Sequence, residues 1–113
     1  MKIADPIHIE ELRIMSENMY NPLVKAVVDV RRRILVVDAE MHADEEAFLL
    51  EGGSAQSDLW GINLWPEEYG TEDFVEFDSM INLRPRDGNR SRSVDDTGTQ
   101  ALIRQIVAEK IHA

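Results

Sequence analysis

The sequence predicts an α+β domain in which two β-hairpins form an antiparallel four-stranded sheet and three short helices cover one of its faces. Two pairs of neighbouring segments have the composition or the alternation of β-strands, and three other segments carry helical spacing or helix-end signals. With 113 residues the chain is long enough for one hydrophobic core. We therefore expect a single domain spanning residues 1–113, with the element order α-β-β-α-β-β-α.

The first helix and the first hairpin follow one another near the start of the chain. The apolar stripe that predicts the helix consists of Leu12, Met15 and Met19. Pro22 ends the helical pattern. Leu23–Val30 and Ile34–Ala39 are rich in β-branched residues and are separated only by Arg31–Arg33, which predicts an antiparallel hairpin.

The second helix and the second hairpin occupy the middle of the chain. Ala43–Glu51 has acidic residues in its first turn, where the helix dipole favours them, and is followed by Gly52-Gly53, a typical helix stop. Leu59–Trp65 alternates as a strand, and Phe74–Arg84 alternates again until Pro85 ends it. These two segments predict the second hairpin.

The last helix is expected from about Thr99 to Ile111. Thr97 and Gln100 have the spacing of a capping box. One face of the segment is apolar and carries Leu102, Ile103, Ile106 and Val107. This helix should therefore pack on the sheet.

The strand predicted for Phe74–Arg84 has one apolar face and one polar face. Its apolar face carries Val75, Phe77, Ile81 and Leu83, and its polar face carries Glu76, Asp78, Asn82 and Arg84. Asn63, on the neighbouring strand, is expected on the same side as Asp78 and Asn82. The sequence thus predicts a polar sheet face beside the loop that follows.

Charge and composition limit the classes of function. The formal net charge is −10, with −12 in residues 1–83 and +2 in residues 84–113, so broad nucleic-acid binding is disfavoured. The apolar stretch Leu23–Ala39 is interrupted by three arginines and cannot span a bilayer. Met1–Tyr20 lacks the pattern of a signal peptide and the chain has no cysteine, so we expect a cytoplasmic protein.

Four segments together resemble a family of short bacterial proteins described only as a domain of unknown function. They are Val24–Val30, His42–Glu46, Leu59–Pro66 and Phe77–Arg92. The resemblance covers most of the chain. It implies no activity, so no catalytic role follows from it.

The loop from Arg84 to Arg92 is the strongest candidate site. It holds four arginines against one acid, a local charge of about +3 in an acidic chain. Guanidinium groups bind phosphate or carboxylate bidentately, and Gly88 and Asn89 favour turns that expose backbone N–H groups. The predicted ligand-binding residues are Asn63, Asp78, Asn82, Arg84, Asn89, Arg90 and Arg92. The alternative is that the arginines pair with the chain's own carboxylates.

A second candidate is the acidic segment after the first hairpin. Its alternating polar residues are Asp38, Glu40, His42 and Asp44. Carboxylates and an imidazole are ligands for Mg²⁺, Mn²⁺ or Zn²⁺, although the spacing matches no known metal motif and a solvated acidic turn is the alternative. The chain lacks a P-loop, a dinucleotide fingerprint and a cysteine cluster, so no cofactor is expected.

These candidates support three hypotheses. The leading one is a small protein that binds an anionic ligand between the arginine loop and the polar sheet face. The first alternative is a metal-dependent phosphoester hydrolase, in which metal ligands or a base would come from Asp38, Glu40, His42 and Asp78 and charge stabilisation from Arg84 and Arg90. The second alternative is a structural protein that forms a homodimer through exposed hairpin edges. The hydrolase requires the acidic segment and the arginine loop to meet in one cleft.

Overall fold

The computed structural model describes residues 1–113 and contains three α-helices and seven short β-strands. The helices are α1 (Ile9–Asn18), α2 (His42–Glu51) and α3 (Thr97–Lys110). The strands are β1 (Lys2–Ile3), β2 (Ile7–His8), β3 (Val24–Asp29), β4 (Ile34–Val37), β5 (Leu59–Leu64), β6 (Val75–Glu76) and β7 (Ile111–His112). The predicted α+β class is confirmed.

Five strands form the main sheet in the order β1-β4-β3-β5-β6, and every neighbouring pair is antiparallel. The prediction of four strands was wrong because β1 adds an edge of only two residues, too short to show alternation. β2 and β7 form a separate parallel pair. The hairpin β3-β4 is confirmed, and its turn is held by Asp29, whose Oδ1 accepts bonds from the N–H groups of Arg31 and Arg32, each at 2.9 Å.

The first face of the sheet carries the main hydrophobic core. From β3 it presents Val24, Ala26 and Val28, which join apolar residues of β4 and β5. Helices α1 and α3 contribute the fully buried side chains Leu12, Ile103 and Ile106 to the same core. The predicted packing of the last helix is confirmed. Burial of such aliphatic side chains is the principal stabilising contribution of this face.

The second face of the sheet is covered by α2, so helices lie on both sides. The prediction that the helices cover one face was therefore wrong. Val27, Val36 and Leu59 alternate with the main core residues and form a smaller cluster with Leu49 of α2. Because β-branched residues point to both sides of β3 and β4, the second face also needs an apolar cover.

One end of this second face is polar. Lys25 of β3 lies opposite Asn63 of β5, and Asn63 in turn lies opposite Glu76 of β6. Directly opposed residues in a sheet point to the same side. The three side chains therefore form a polar row across three strands beside the small apolar cluster.

The predicted strand Phe74–Arg84 was largely wrong, since only Val75–Glu76 is a strand. The chain continues through 3₁₀ turns at Met80–Asn82 and Pro85–Asp87. Asn82 explains the early end of the strand. Its fully buried side chain accepts a bond from the N–H of Gly61 at 2.8 Å and donates to the carbonyl of Gly61 at 2.9 Å. The side-chain amide thus occupies the position beside β5 that a continuation of β6 would take.

The predicted division of this segment into two faces also failed. Asn82, assigned to the polar face, is fully buried, and Leu83, assigned to the apolar face, is 37% exposed. The alternation that predicted a strand arises here from turns, in which the side-chain directions do not follow a period of two residues.

The start of α3 is capped differently from expectation. Asp96, rather than Thr97, caps α3, because its Oδ2 accepts a bond from the N–H of Thr99 at 2.8 Å. The capping box lies on α1 instead, between His8 and Glu11.

None of the helices combines the length and the apolar character that crossing a membrane requires.

Candidate functional site

A cleft of about 280 Å³ opens at the polar end of the second sheet face. It lies between the start of α2, the strands β3 and β5, and the loop that follows β6. Its charged and polar side chains include Lys25, His42, Asn63, Asp78 and Arg92. We call this space the polar cleft. It joins three residues predicted for the anion site with one predicted for the metal alternative.

The loop that carries Asp78 and Arg92 is folded by side-chain amides. Ser79 donates its backbone N–H to the carbonyl of Arg92 at 3.0 Å, and Asn82 Nδ2 donates to the same carbonyl at 2.9 Å. These bonds bring the two ends of the loop together. Asp78 and Arg92, fourteen residues apart, thereby reach one side of the cleft.

Asn89 organises the middle of this loop. Its Nδ2 donates to the carbonyls of Asn82 and Ser93, both at 2.7 Å, and its Oδ1 accepts the N–H of Asp95 at 2.8 Å. Gly88 precedes it with a φ of 85°, which favours glycine. Asn82 and Asn89, predicted to bind a ligand, are therefore buried side chains that hold the loop in shape.

Arg92 and Asp78 form an ion pair at the side of the cleft. Arg92 Nε donates to Asp78 Oδ1 at 2.6 Å, and the two side chains are 54% and 46% exposed. The pair uses the Nε of Arg92, and the two terminal guanidinium nitrogens have no hydrogen bond to the protein. Those nitrogens are the forked donors that bind carboxylate or phosphate.

Lys25 is the second cation of the cleft, and it was missing from the predicted site. It makes no ion pair or side-chain hydrogen bond within the protein, and it is half-buried. The sequence feature that could have identified Lys25 is strand alternation, which places Lys25 on the face opposite Val24 and Ala26. A lysine on a largely apolar strand marks a polar position on that face.

His42 is the first residue of α2, and its imidazole contacts the sheet. Its Nε2 lies 2.8 Å from the carbonyl of Ile62. Burial lowers the pKa of His42, and the Ile62 carbonyl acts in the opposite direction. Lys25 lowers this pKa further, whereas Asp78 raises it. The imidazole is therefore neutral at pH 7, and its Nε2–H donates to Ile62.

Asn63 lies in the polar row and is only 6% exposed. Its Nδ2 donates to Glu76 Oε1 at 2.8 Å and to the carbonyl of Asp78 at 3.2 Å. Its Oδ1 is buried and has no hydrogen-bond partner. An unpaired buried acceptor of this kind is uncommon in folded proteins.

The N-terminus of α2 contributes to the same cleft. Met41, the N-cap residue, makes no side-chain cap, and Met41, His42 and Ala43 all line the cleft. Backbone N–H groups in the first turn of a helix lack partners within the helix and favour anions. Glu45 in this turn is fully buried, and burial raises its pKa to about 9, so it is neutral at pH 7 and does not repel an anion.

The other arginines of the loop lie outside the polar cleft. Arg84 stacks on Trp60, with its guanidinium carbon 4.0 Å from the ring centre, and donates to the carbonyl of Gln56. Arg86 and Arg90 are exposed, and Arg90 uses its backbone N–H to bind Asp95 Oδ2 at 2.9 Å. Of the three arginines predicted to bind a ligand, Arg84, Arg90 and Arg92, the structure places Arg92 at the cleft.

The side chains of the metal alternative do not converge. No group of three or more His, Asp or Glu side chains is arranged to hold a metal ion. His42 and Asp78 share the polar cleft, whereas Asp38, Glu40 and Asp44 line a different one. The predicted meeting of the acidic segment with the arginine loop is therefore limited to His42, Asp78 and Arg92.

A further cleft of about 310 Å³ lies between α3 and the segment before β6. Its lining is mostly apolar, with Tyr69, Phe74 and Val107, and Arg104 is its one charged residue. Arg104 already donates to the carbonyl of Glu72 at 3.1 Å. This cleft lacks the converging polar groups of the first one.

Comparisons with curated proteins and with solved structures found no match. A comparison with protein families matches residues 1–110 to a family described as "Protein of unknown function (DUF5674)". The resemblance to a family of unknown function is thereby confirmed, and the match extends over nearly the whole fold, including every residue of the polar cleft. The chain belongs to the DUF5674 family.

Proposed function

We propose that this protein binds a small anionic ligand, bearing a carboxylate or a phosphate, in the polar cleft. One observation carries the proposal: Lys25, Arg92 and the uncapped N-terminus of α2 meet in a single cleft. Each of these groups binds anions by itself, and their convergence provides several donors for one ligand. Compared with the site expected from the sequence, the arginine loop contributes one arginine, and β3 and α2 provide the rest.

The charge of the cleft favours a small ligand over a polymer. Lys25 and Arg92 face one ionised carboxylate, Asp78, and His42 is neutral at pH 7, so the cleft carries a formal charge of about +1. The chain as a whole has a formal charge of −10. The negative field of the whole protein repels a polyanion, which carries many charges along its length. For a small ligand inside the cleft, salt screens the charges that lie farther away than about 8 Å, so the contacts within the cleft dominate.

The hydrolase alternative is less well supported, because Asp38, Glu40 and Asp44 line another cleft. Dimerisation through the sheet edges stays a prediction, and both edge strands, β1 and β6, contain only two residues. A cytoplasmic location belongs to the same proposal, since a chain without cysteine suits a reducing compartment.

The proposal is tested by replacing two neighbouring arginines. We expect inorganic phosphate or malate to raise the melting temperature of the wild type, because a ligand of the folded state stabilises it by about 2.7 kcal/mol at 100 times its Kd. Arg92→Gln should weaken binding by about 10- to 100-fold, since a hydrogen bond to a charged group contributes roughly 1.5 to 3 kcal/mol. Isothermal titration calorimetry measures the affinities.

Arg90→Gln is the matched control. It removes the same charge from the same loop, but Arg90 is exposed and does not line the cleft. We expect its affinity to stay within about twofold of the wild type at physiological salt, where charges farther apart than about 8 Å are largely screened. Equal losses in both variants would indicate general electrostatic attraction, and a wild type that binds neither probe would contradict the proposed function.

A further inference from the structure

We propose that the ligand is a small carboxylate that carries a hydrogen-bond donor next to the acid group, either a hydroxyl or an ammonium. This inference rests on the proposed function and specifies its ligand class. The observation behind it is Asn63 Oδ1, a buried acceptor without a partner on a residue that lines the polar cleft. An anion alone would satisfy the cations of the cleft and leave this acceptor unpaired.

The orientation of the Asn63 amide is fixed by its neighbours. Its Nδ2 faces two acceptors, Glu76 Oε1 at 2.8 Å and the Asp78 carbonyl at 3.2 Å. Turning the amide over would place its oxygen against both acceptors and lose two hydrogen bonds. Oxygen and nitrogen positions in an amide follow from such a network, so Oδ1 is the atom left without a partner.

No protein donor satisfies this oxygen. The ring of His42 lies beside Asn63 and would donate to Oδ1 when protonated, which acts to raise the pKa of His42. At pH 7 the neutral ring keeps its one proton on Nε2, which lies 2.8 Å from the carbonyl of Ile62, so Oδ1 receives no hydrogen bond from it. Lys25, the residue opposite Asn63 in the sheet, makes no hydrogen bond to it either. A donor on a bound ligand would complete the hydrogen bonding of a group that is otherwise buried at a cost.

The acceptor lies close to both cations. Lys25 is the direct cross-strand neighbour of Asn63, and side chains in that relation start about 4.5 to 5.5 Å apart. Arg92 is connected to Asn63 through Asp78, which binds Asn63 by its carbonyl and Arg92 by its carboxylate. A ligand that contacts a cation and Oδ1 together therefore needs its hydrogen-bond donor on the carbon next to the carboxylate.

Two further features limit the ligand. The cleft volume of about 280 Å³ is near the lower end for ligand sites, which suits an acid of a few carbons. Asp78 Oδ2 has no hydrogen-bond partner in the protein and offers a second acceptor beside Arg92. An ammonium would use both acceptors, whereas a hydroxyl would use one, so the two donor types are distinguishable by affinity.

The test uses two matched series of acids on the wild-type protein: propionate, lactate and alanine, and succinate, malate and aspartate. In whichever series binds, isothermal titration calorimetry should show that the hydroxy acid or the amino acid binds at least tenfold more tightly than the unsubstituted acid. A tighter amino acid identifies an ammonium as the donor, and a tighter hydroxy acid identifies a hydroxyl. Asn63→Leu, similar in size but without the acceptor, should abolish the preference for the donor-bearing acid over its unsubstituted parent.

The outcomes separate this inference from the proposed function. Parent and substituted acids that bind the wild type within twofold of each other would overturn the inference and leave the anion site intact. Binding of inorganic phosphate without binding of any acid would have the same meaning. Failure of phosphate and of all six acids to bind would overturn both. Because the comparison between acids uses the wild type, it stands even if Asn63→Leu does not fold.

Discussion

Glu45 is the residue whose chemistry departs most from its usual state. Its side chain is fully buried beneath the first turn of α2, and neither carboxyl oxygen has a hydrogen-bond partner. Burial raises its pKa to about 9 from an ordinary value of 4.5, because removal from water disfavours the charged form. The neutral acid leaves the N-terminus of α2 free of a repelling charge on the side of the sheet.

This pKa predicts an unusual dependence of stability on pH. Between pH 4.5 and about 9 the folded state keeps a proton that the unfolded state releases, so this contribution to stability is lost as the pH rises. The slope approaches about 1.4 kcal/mol per pH unit. Glu45→Gln has no such proton, so its free energy of unfolding relative to wild type should increase from pH 5 to pH 8.

Urea denaturation of both proteins at several pH values measures this difference. Glu51→Gln is the control, because Glu51 is on the same helix and is exposed. A constant difference between Glu45→Gln and wild type across this range would show that Glu45 is not held neutral in the fold.

At the scale of the elements, the close contact between β5 and the turn that follows β6 shapes the cleft. Gly61 of β5 has no side chain, and a Cβ built there would lie 2.5 Å from the Cβ of Ser79. This close approach allows the side chain of Asn82 to bind both the N–H and the carbonyl of Gly61. The contact fixes the loop that carries Asp78 and Arg92.

Gly61→Ala should therefore destabilise the protein by about 1 to 3 kcal/mol, the usual cost of inserting a methyl group into a packed site. It should also weaken anion binding, because Ser79 neighbours Asp78. Gly52→Ala is the matched control, since its nearest atoms would be 3.5 Å away and its φ of −80° suits alanine. Chemical denaturation of the wild type and the two variants measures their free energies of unfolding. Equal stability of Gly61→Ala and wild type would contradict the close packing of Gly61 against Ser79.

The elements that the sequence predicted are those with a strong local signal. β3 and β4 are rich in β-branched residues, and α3 has an apolar stripe, so their composition determined the prediction. The segment after β6 was misassigned because Asn82 bonds to a strand distant in sequence, a contact that alternation does not reveal. Strands of two residues, such as β1 and β7, have no period to detect.

Part of the candidate site was also predictable, because some of its residues have a local signal in the sequence. Asn63 and Asp78 were predicted from strand alternation and Arg92 from the arginines of the loop, and the three lie together in the cleft. Arg84 was predicted as well, but its guanidinium stacks on Trp60, a tertiary contact. Lys25 was missed because its role depends on its register with Asn63, and strand register between distant segments is not readable from one sequence.

At the scale of the molecule, the fold concentrates positive charge in one place on an acidic protein. The formal charge is −10, yet Lys25 and Arg92 meet at the uncapped end of α2. They come from β3 and from the loop after β6, so the cleft exists only when the sheet is complete. We therefore expect this cleft, rather than the exposed part of the arginine loop, to receive the anion.

The most direct test of this claim is a titration of the ¹⁵N-labelled protein with inorganic phosphate and with malate, followed by two-dimensional NMR. We expect the largest and saturable shifts at the amides of His42, Ala43, Asp78 and Arg92, because backbone N–H groups at the start of α2 and the loop beside Arg92 face the bound anion. Saturable shifts centred on Arg86 and Arg90, or on Tyr69 and Arg104, with the amides of the polar cleft unchanged, would contradict the account.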